Sequence, residues 1–297
     1  MFRLAHVTDP HFRGFRQARP FDFIGKRAIG IANLAVNRMR KHKMELLDEM
    51  GRDVRAQAPD HLALTGDLSN VALAGEWLTA LAWIEATGLD PGALSVIPGN
   101  HDAYVPEVVE ERAFEKLFAP YQTNDIKPMT ADAPYPFVRL RPPLAVIGVS
   151  SAVATGDLGA WGAIGERQLA RLEKILTAPE LAGLTRVVLI HHPPVLHKHG
   201  EQRNLRDRDA LAAVLERAGA ELVLHGHDHQ DQRAELVGPG GRKIPIIGGG
   251  SASYTGDPER RSRYNIFEVE GRSITWTTRV HDEAAGAFRE ARREKLA

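Results

Sequence analysis

The sequence has no cysteine among its 297 residues. That absence excludes a disulfide framework, a thiolate metal site and a cysteine nucleophile, so any metal must be held by imidazole nitrogen, amide oxygen or carboxylate. It also has no excess of charge, with 38 Lys+Arg against 38 Asp+Glu, and only 6% aromatic residues. A nucleic-acid groove needs a basic surplus and stacking rings, so a nuclease is not expected. No apolar run reaches membrane-spanning length, and residues 1–9 read as a strand, not as a basic segment followed by an apolar leader core. The expectation is a soluble, cytoplasmic protein.

What the chain does have is histidine. There are 13, in a composition of 43% hydrophobic and 26% charged residues that suits a globular protein with a substantial core. Short apolar runs at 3–8, 61–65, 94–97, 144–150, 186–190 and 221–224 alternate with helical patterns at 44–58, 73–87, 106–118, 166–176 and 207–218. That alternation predicts an α/β fold. Beyond His229 come hairpin-like runs at 233–237, 243–247, 264–269 and 273–280, separated by Gly and Pro turns and followed by a charged tail from about Asp282. No repeat or low-complexity linker divides the chain, so 1–297 is expected to be a single domain.

Nearly every α/β run ends in a polar cluster able to hold a metal. The clusters are Asp9-Pro10-His11, Gly66-Asp67, Gly99-Asn100-His101-Asp102, His191-His192 and His225-Gly226-His227-Asp228-His229. Ligands of open α/β sheets bind outside the carboxyl ends of the strands, so these clusters can converge on one site. Carboxylate, imidazole and amide oxygen without sulfur suit Mn, Fe, Zn or Co better than Ca or Mg. Asp9, His11, Asp67, Asn100, His191, His227 and His229 exceed what one ion needs and fill two shells if one carboxylate bridges, which predicts two-metal hydrolysis of a phosphate ester. The His-x-His-x-Asp-His spacing of metallo-β-lactamases is one residue longer than 225–229, and amidohydrolases open with His-x-His where this chain has Asp9-x-His11. Ser150 lacks the second glycine of a nucleophile elbow, which argues against a serine hydrolase.

In this order the motifs, with Pro193-Pro194 after the paired histidines, resemble the calcineurin-like metallophosphoesterases over roughly residues 2–250. The His-His-Pro-Pro run and Glu166-x-Gln168-Leu169 look most like the branch of cyclic-nucleotide and glycerophosphodiester phosphodiesterases. The resemblance implies a four-layer α-β-β-α sandwich with two central mixed sheets flanked by helices. It implies one divalent or trivalent transition metal on Asp9, His11, Asp67 and His229, and a second on Asp67, Asn100, His191 and His227, with Asp67 as the bridge and a bridging hydroxide as nucleophile. His101 is then the catalytic cation or acid, and Asp102 the residue that orients it. The implied substrate is a small phosphodiester. The alternatives are a lipid-linked nucleotide pyrophosphate of the UDP-diacylglucosamine type, a phosphomonoester, or a non-catalytic scaffold that keeps the fold. Relatives often continue Gly-Asp-x-x-Asp where this chain has Asn70, which touches only a supporting role.

The other histidines carry less. His6, His42, His61, His197, His199 and His281 read as ordinary structural or surface residues, and His192 and His225 as supports beside the ligands. Gly248-Gly249-Gly250-Ser251 reads as a tight turn beside the site, since no P-loop lysine or helix pattern follows it. Residues 12–43 are a basic insert, with nine Lys/Arg against one acid, Asp22, and Ile24, Ala28, Ile31, Ala35 and Met39 at helical spacing. Such a helix either hangs over the site as a lid for an anionic or lipid-bearing substrate, or packs its stripe on the core. Peripheral membrane contact is a further reading. The oligomeric state is not legible.

Overall fold

The computed structural model describes residues 1–15, 17–126, 133–156, 159–195 and 202–296. His197 and His199 therefore lie outside the described residues. The chain opens with β1 (Phe2–Val7), α1 (Lys26–Asn33), α2 (Glu45–Gln57), β2 (His61–Thr65), α3 (Ala74–Ala86) and β3 (Leu94–Ile97). It continues through α4 (Pro106–Glu110), α5 (Ala113–Leu117), β4 (Phe137–Arg141), β5 (Leu144–Gly148), α6 (Glu166–Leu176), β6 (Thr185–Leu189), α7 (Arg208–Ala218) and β7 (Leu222–His225). The strands β8 (Gln232–Val237), β9 (Lys243–Gly248), β10 (Arg263–Glu270), β11 (Ser273–Asp282) and β12 (Ala287–Lys295) complete it.

Two six-stranded mixed sheets form, in the orders β12-β11-β10-β1-β2-β3 and β4-β5-β6-β7-β9-β8. The strands β1, β2 and β3 are parallel, as are β5, β6, β7 and β9, so their carboxyl ends point the same way within each sheet. Their near-continuous apolar sequences follow from burial on both faces. In β6, Val187 and Leu189 enter the core between the sheets while Val188 packs outward beneath helices. Leu222 and Leu224 of β7 point inward and Val223 outward in the same alternation. Helix α6 buries Leu169, Leu172, Ile175 and Leu176, an i, i+3, i+6, i+7 stripe, on the second sheet. Helix α2 places Leu47, Met50 and Val54 with Trp77, Ala80 and Trp83 of α3 over the first. The expected four-layer α-β-β-α sandwich is therefore the fold. No described helix is long and apolar enough to cross a membrane.

Four expectations change. The charged segment after Asp282 is not a tail but the edge strand β12, paired antiparallel with β11. Phe288 is buried, Arg292 lies 3.8 Å over the Trp276 ring, and Arg293 pairs with Glu268, while the outward charges blunt the edge. The helix expected over 106–118 is two short helices, because Arg112 takes a left-handed φ of 51° between them. Strand β4 was not anticipated; its Arg139 breaks the apolar run, yet its guanidinium is buried against the Leu94 carbonyl. In the insert, α1 buries no residue completely; of the expected stripe Ile24, Ala35 and Met39 are exposed and Ala28 and Ile31 half-buried, while Leu34, off the stripe, is buried, so the stripe as a whole does not pack on the core.

Candidate metal centre

All five clusters lie at the carboxyl ends of parallel strands, and the loops they form are strained. Nine described non-glycine residues have positive φ, and five of them are predicted ligands: Asp9 (50°), His11 (50°), Asp67 (54°), His227 (75°) and His229 (54°). Left-handed backbone is unfavourable for residues with a Cβ and persists where surrounding contacts impose it, most often at functional sites. Backbone hydrogen bonds supply that imposition: Asp9 N to Gly66 O (3.1 Å), His11 N to Asp67 O (3.0 Å) and Gly226 N to His191 O (3.0 Å). Close approach adds to it. A Cβ at Gly99 would stand 2.2 Å from Asp67 Oδ1, and one at Gly226 would stand 2.5 Å from Asp9 Oδ2.

The result is two adjoining groups of ligand atoms, Asp9, His11, Asp67 and His229 in one and Asp67, His191 and His227 in the other, each within 4.8 Å. In the first, His11 Nε2 and His229 Nε2 face each other at 3.0 Å, Asp9 Oδ1 lies 3.2 Å from His229 Nε2, and Asp67 Oδ2 lies 3.8 Å from His11 Nε2. In the second, Asp67 Oδ1 is 3.4 Å from His191 Nε2, and Asn100 Oδ1 sits 3.2 Å from His191 Nε2 and 2.9 Å from His227 Nδ1. All seven predicted ligands are brought together.

Several features fit a cation pair. His11 Nδ1 and His191 Nδ1 are committed to the backbone carbonyls of Ser69 (3.1 Å) and Thr65 (2.7 Å), which leaves the Nε2 lone pairs aimed into the cluster. Two such nitrogens facing each other need a proton or a metal between them. Burial pushes the Asp67 carboxyl up, but His191, His101 and His11 outweigh it and hold it well below its ordinary range. Burial opposes protonation of His191, while the Asp67 carboxylate raises it to about 9. His227 is driven the other way, first by burial and then by His192 and His191.

The two predicted catalytic residues part company. His101 lines the pocket over the cluster, its backbone N–H donates to Asp67 Oδ1 (2.8 Å), and its Nδ1 meets the Asn70 carbonyl at 2.5 Å. Tyr104 stacks on its ring at 5.7 Å between centroids. Asp102 does not orient that imidazole. Its buried carboxylate accepts from Leu68 N (3.0 Å), Ser69 N (2.9 Å), Ser69 Oγ (2.7 Å), Trp77 Nε1 (3.1 Å) and Gly99 N (3.0 Å). It ties the Asp67 loop to the Asn100 loop. Asn70 donates to the carbonyls of His11 (3.1 Å) and Phe12 (2.8 Å), the supporting role expected of it.

His192 supports the cluster as expected, between Ser151 Oγ (2.8 Å) and the Ala160 carbonyl (3.2 Å), and burial lowers it to about 3. The 248–251 turn also lies beside the site, with Ser251 Oγ donating to the Asp9 carbonyl at 2.7 Å. His42 is the residue missed. Expected to be ordinary, it is buried 5.1 Å from the His11 ring and 5.6 Å from the His229 ring, with Nδ1 on Ser253 Oγ. Its place at the end of an insert that begins at a metal motif was the only available signal. His6, His61 and His281 are structural, paired with Thr65, Ser95 and Glu49.

A cavity of about 320 Å³ opens above the cluster, lined by Lys26, Ile29, Gly30 and Asn33 of α1 together with Tyr104, Arg203 and four of the predicted ligands, Asp67, Asn100, His227 and His229. A larger one, about 810 Å³, lies at the opposite, amino ends of β6, β7 and β9 around Thr185, Glu221 and Lys243 and holds no ligand cluster among the described residues. Volume is therefore a poor guide here, and the smaller cavity is the chemical one.

A buried carboxylate between two imidazole sets, at strand ends drawn from both sheets of a sandwich, defines a metal-dependent hydrolytic centre. Residues 2–231 match the calcineurin-like phosphoesterases, and the chain belongs to that family. It is a metal-dependent phosphoric ester hydrolase, of a family that implies a dinuclear divalent metal site. A cAMP/cGMP dual specificity phosphodiesterase of Mycobacterium tuberculosis is 27% identical over 257 residues, covering 86% of this chain and 68% of the relative. Among solved structures, a dimetal phosphatase from Danio rerio matches with a TM-score of 0.62 at 14% identity, covering 100% of this chain and 98% of the other. The purple acid phosphatase PPD1 of yellow lupin (Lupinus luteus) matches with a TM-score of 0.60 at 13% identity, covering 99% of this chain and 53% of the other. At these identities the two structures are likenesses of fold.

Proposed function

We propose that the chain hydrolyses a small phosphodiester, such as a cyclic nucleotide or a glycerophosphodiester, with two transition-metal ions bound across Asp67. The observation that carries this reading is that the two oxygens of one buried carboxylate face different imidazole sets, Oδ2 toward His11 and Oδ1 toward His191. One ion would be held by Asp9, His11, Asp67 and His229, the other by Asp67, Asn100, His191 and His227. Metal ions held by these residues would supply water activation and neutralise charge on the phosphoryl oxygens.

The remaining roles belong to the chain's own groups. The Thr65 and Ser69 carbonyls fix the tautomers of His191 and His11. His101, with Nδ1 committed to the Asn70 carbonyl, has Nε2 for proton exchange with the leaving oxygen or, when charged, for stabilising the transition state. Asp102 keeps the Asp67 and Asn100 loops in register. Lys26 and Arg203 line the cavity and make it favourable for an anion. A volume of about 320 Å³ is at the low end of small-ligand pockets, roughly 300–1,000 Å³, which favours a compact ester over a polymer. The phosphodiesterase activity named for the Mycobacterium relative supports the same class.

The test is a substrate panel on one metal-loaded sample: cAMP, cGMP, glycerophosphodiesters, nucleotide-linked lipids and phosphomonoesters. The reading predicts the highest kcat/KM on a small diester. Faster turnover of the monoesters or of the lipid pyrophosphate would overturn it.

A further inference from the structure

The insert leaves apolar side chains in solvent where the rest of the surface leaves few. Of the ten large hydrophobic residues exposed among the described residues, six fall between positions 15 and 39: Phe15, Phe23, Ile24, Ile29, Val36 and Met39. Ile24 is 64% exposed and Val36 70%. A concentration of this kind on a soluble fold marks an interaction surface. Those residues are not what holds the insert to the body. Buried Leu34 and a set of polar groups do that: Lys26 Nζ donates to Thr155 O (3.0 Å) and Oγ1 (3.1 Å), and Arg27 donates to the carbonyls of Val71 (3.1 Å) and Ala72 (2.9 Å).

Charge identifies the partner. Residues 12–43 carry nine Lys/Arg and one acid, which leaves 29 Lys/Arg against 37 Asp/Glu for the rest of the chain. The single acid, Asp22, is already paired with Arg27 at 2.6 Å. A cationic, apolar-studded insert on an anionic body is drawn to a negative surface by one side and repelled by the other. A second copy docked through a two-fold contact would bring the same positive patch against itself, which like-charge repulsion disfavours. From this concentration of exposed apolar residues, with Arg19, Arg40, Lys41 and Lys43 exposed in the same segment, we infer that the 12–43 insert docks on an anionic phospholipid membrane surface. Because Lys26, Ile29, Gly30 and Asn33 of the same segment line the catalytic cavity, docking sets the cavity mouth at the level of the lipid headgroups.

The experiment is flotation of the full chain with vesicles of phosphatidylglycerol mixed into phosphatidylcholine, against vesicles of phosphatidylcholine alone. Binding is expected only to the anionic vesicles and is expected to weaken with salt. The triple variant Ile24→Asp/Val36→Asp/Met39→Asp is expected to lose about tenfold or more of that affinity, because burial of three apolar side chains is removed. Its turnover of bis-p-nitrophenyl phosphate is expected to stay at the wild-type rate, which shows that it folds. Equal binding to both vesicle types, no binding, or unchanged binding by the triple variant would overturn the proposal. So would a wild-type dimer in light scattering that the triple variant converts to monomer, since a second copy would then cover the patch.

Discussion

The ligand loops and the insert that stands over them contribute to one cavity and are held by different forces. The loops are buried, strained and densely hydrogen-bonded: Asp67 receives the His101 N–H, Asp102 accepts five hydrogen bonds, and the close-packed turns leave no room for a side chain at Gly99. The insert is attached by Leu34 and the ends of Lys26 and Arg27 and carries exposed Ile24, Val36 and Met39. Positioning a metal pair requires rigid donors, and close packing with hydrogen bonds to the groups behind them provides that rigidity. A wall that meets varied substrates or a surface has no such requirement. Substitutions should accordingly be severe in the loops and mild in the insert.

The largest effect is expected for Asp67→Ala, which removes the oxygens facing both imidazole sets. Turnover of a diester should fall by about 10³-fold or more, as loss of one central electrostatic group typically costs 10²–10³. Steady-state kinetics on the folded variant checks it, and a loss below tenfold would erase the contrast. His101→Ala should cost about 10²–10³-fold in kcat with metal content unchanged, within the usual range for an acid–base group. Simultaneous loss of metal would mean that His101 is a ligand. Gly99→Ala sharpens the point about packing, since its methyl would sit 2.2 Å from Asp67 Oδ1. A metal affinity about 10–100-fold weaker is expected from disturbing ligand support, measured by calorimetric titration.

The buried histidines of the sandwich give a smaller, pH-dependent effect. Burial, with Arg139 and Arg141 nearby, lowers His61 to about 3 from 6.5. The unfolded chain therefore takes up the proton first, so the contribution is present above pH 6.5 and is lost as pH falls from 6.5 toward 3. The slope is about 1.4 kcal/mol per pH unit for this residue. Urea melts between pH 7 and 4.5 should show it, and His61→Asn should flatten the dependence. A single insert substitution should be smallest of all: Val36→Ser is expected to change stability by less than about 0.5 kcal/mol, as exposed positions usually do. A larger shift in its melting curve would mean that the insert is packed after all.

The legible part of the sequence was the part where local pattern and global position coincide. Apolar runs buried on both faces stood out as strands, and the polar residues that end them had to lie together once the strands were parallel. Asp102 shows where this stops, because adjacency to His101 carries no information about which way a turn aims two neighbouring side chains. Arg139 concealed β4, since a guanidinium buried against a backbone carbonyl reads in sequence as a surface residue. Charge concealed β12, whose stability comes from pairing with β11 and from Phe288 and Arg292 against Tyr264 and Trp276. His42 was hidden by tertiary distance, reaching His11 only because the insert returns its far end to Ser253.

The central claim is that two ion sites share Asp67, and counting metal tests it most directly. After reconstitution and removal of free ions, elemental analysis should give two transition metals per chain for the wild type, one for His11→Ala and one for Asn100→Ala, matching the two side-chain groups. One metal per chain in the wild type, or two retained by both variants, would contradict the account.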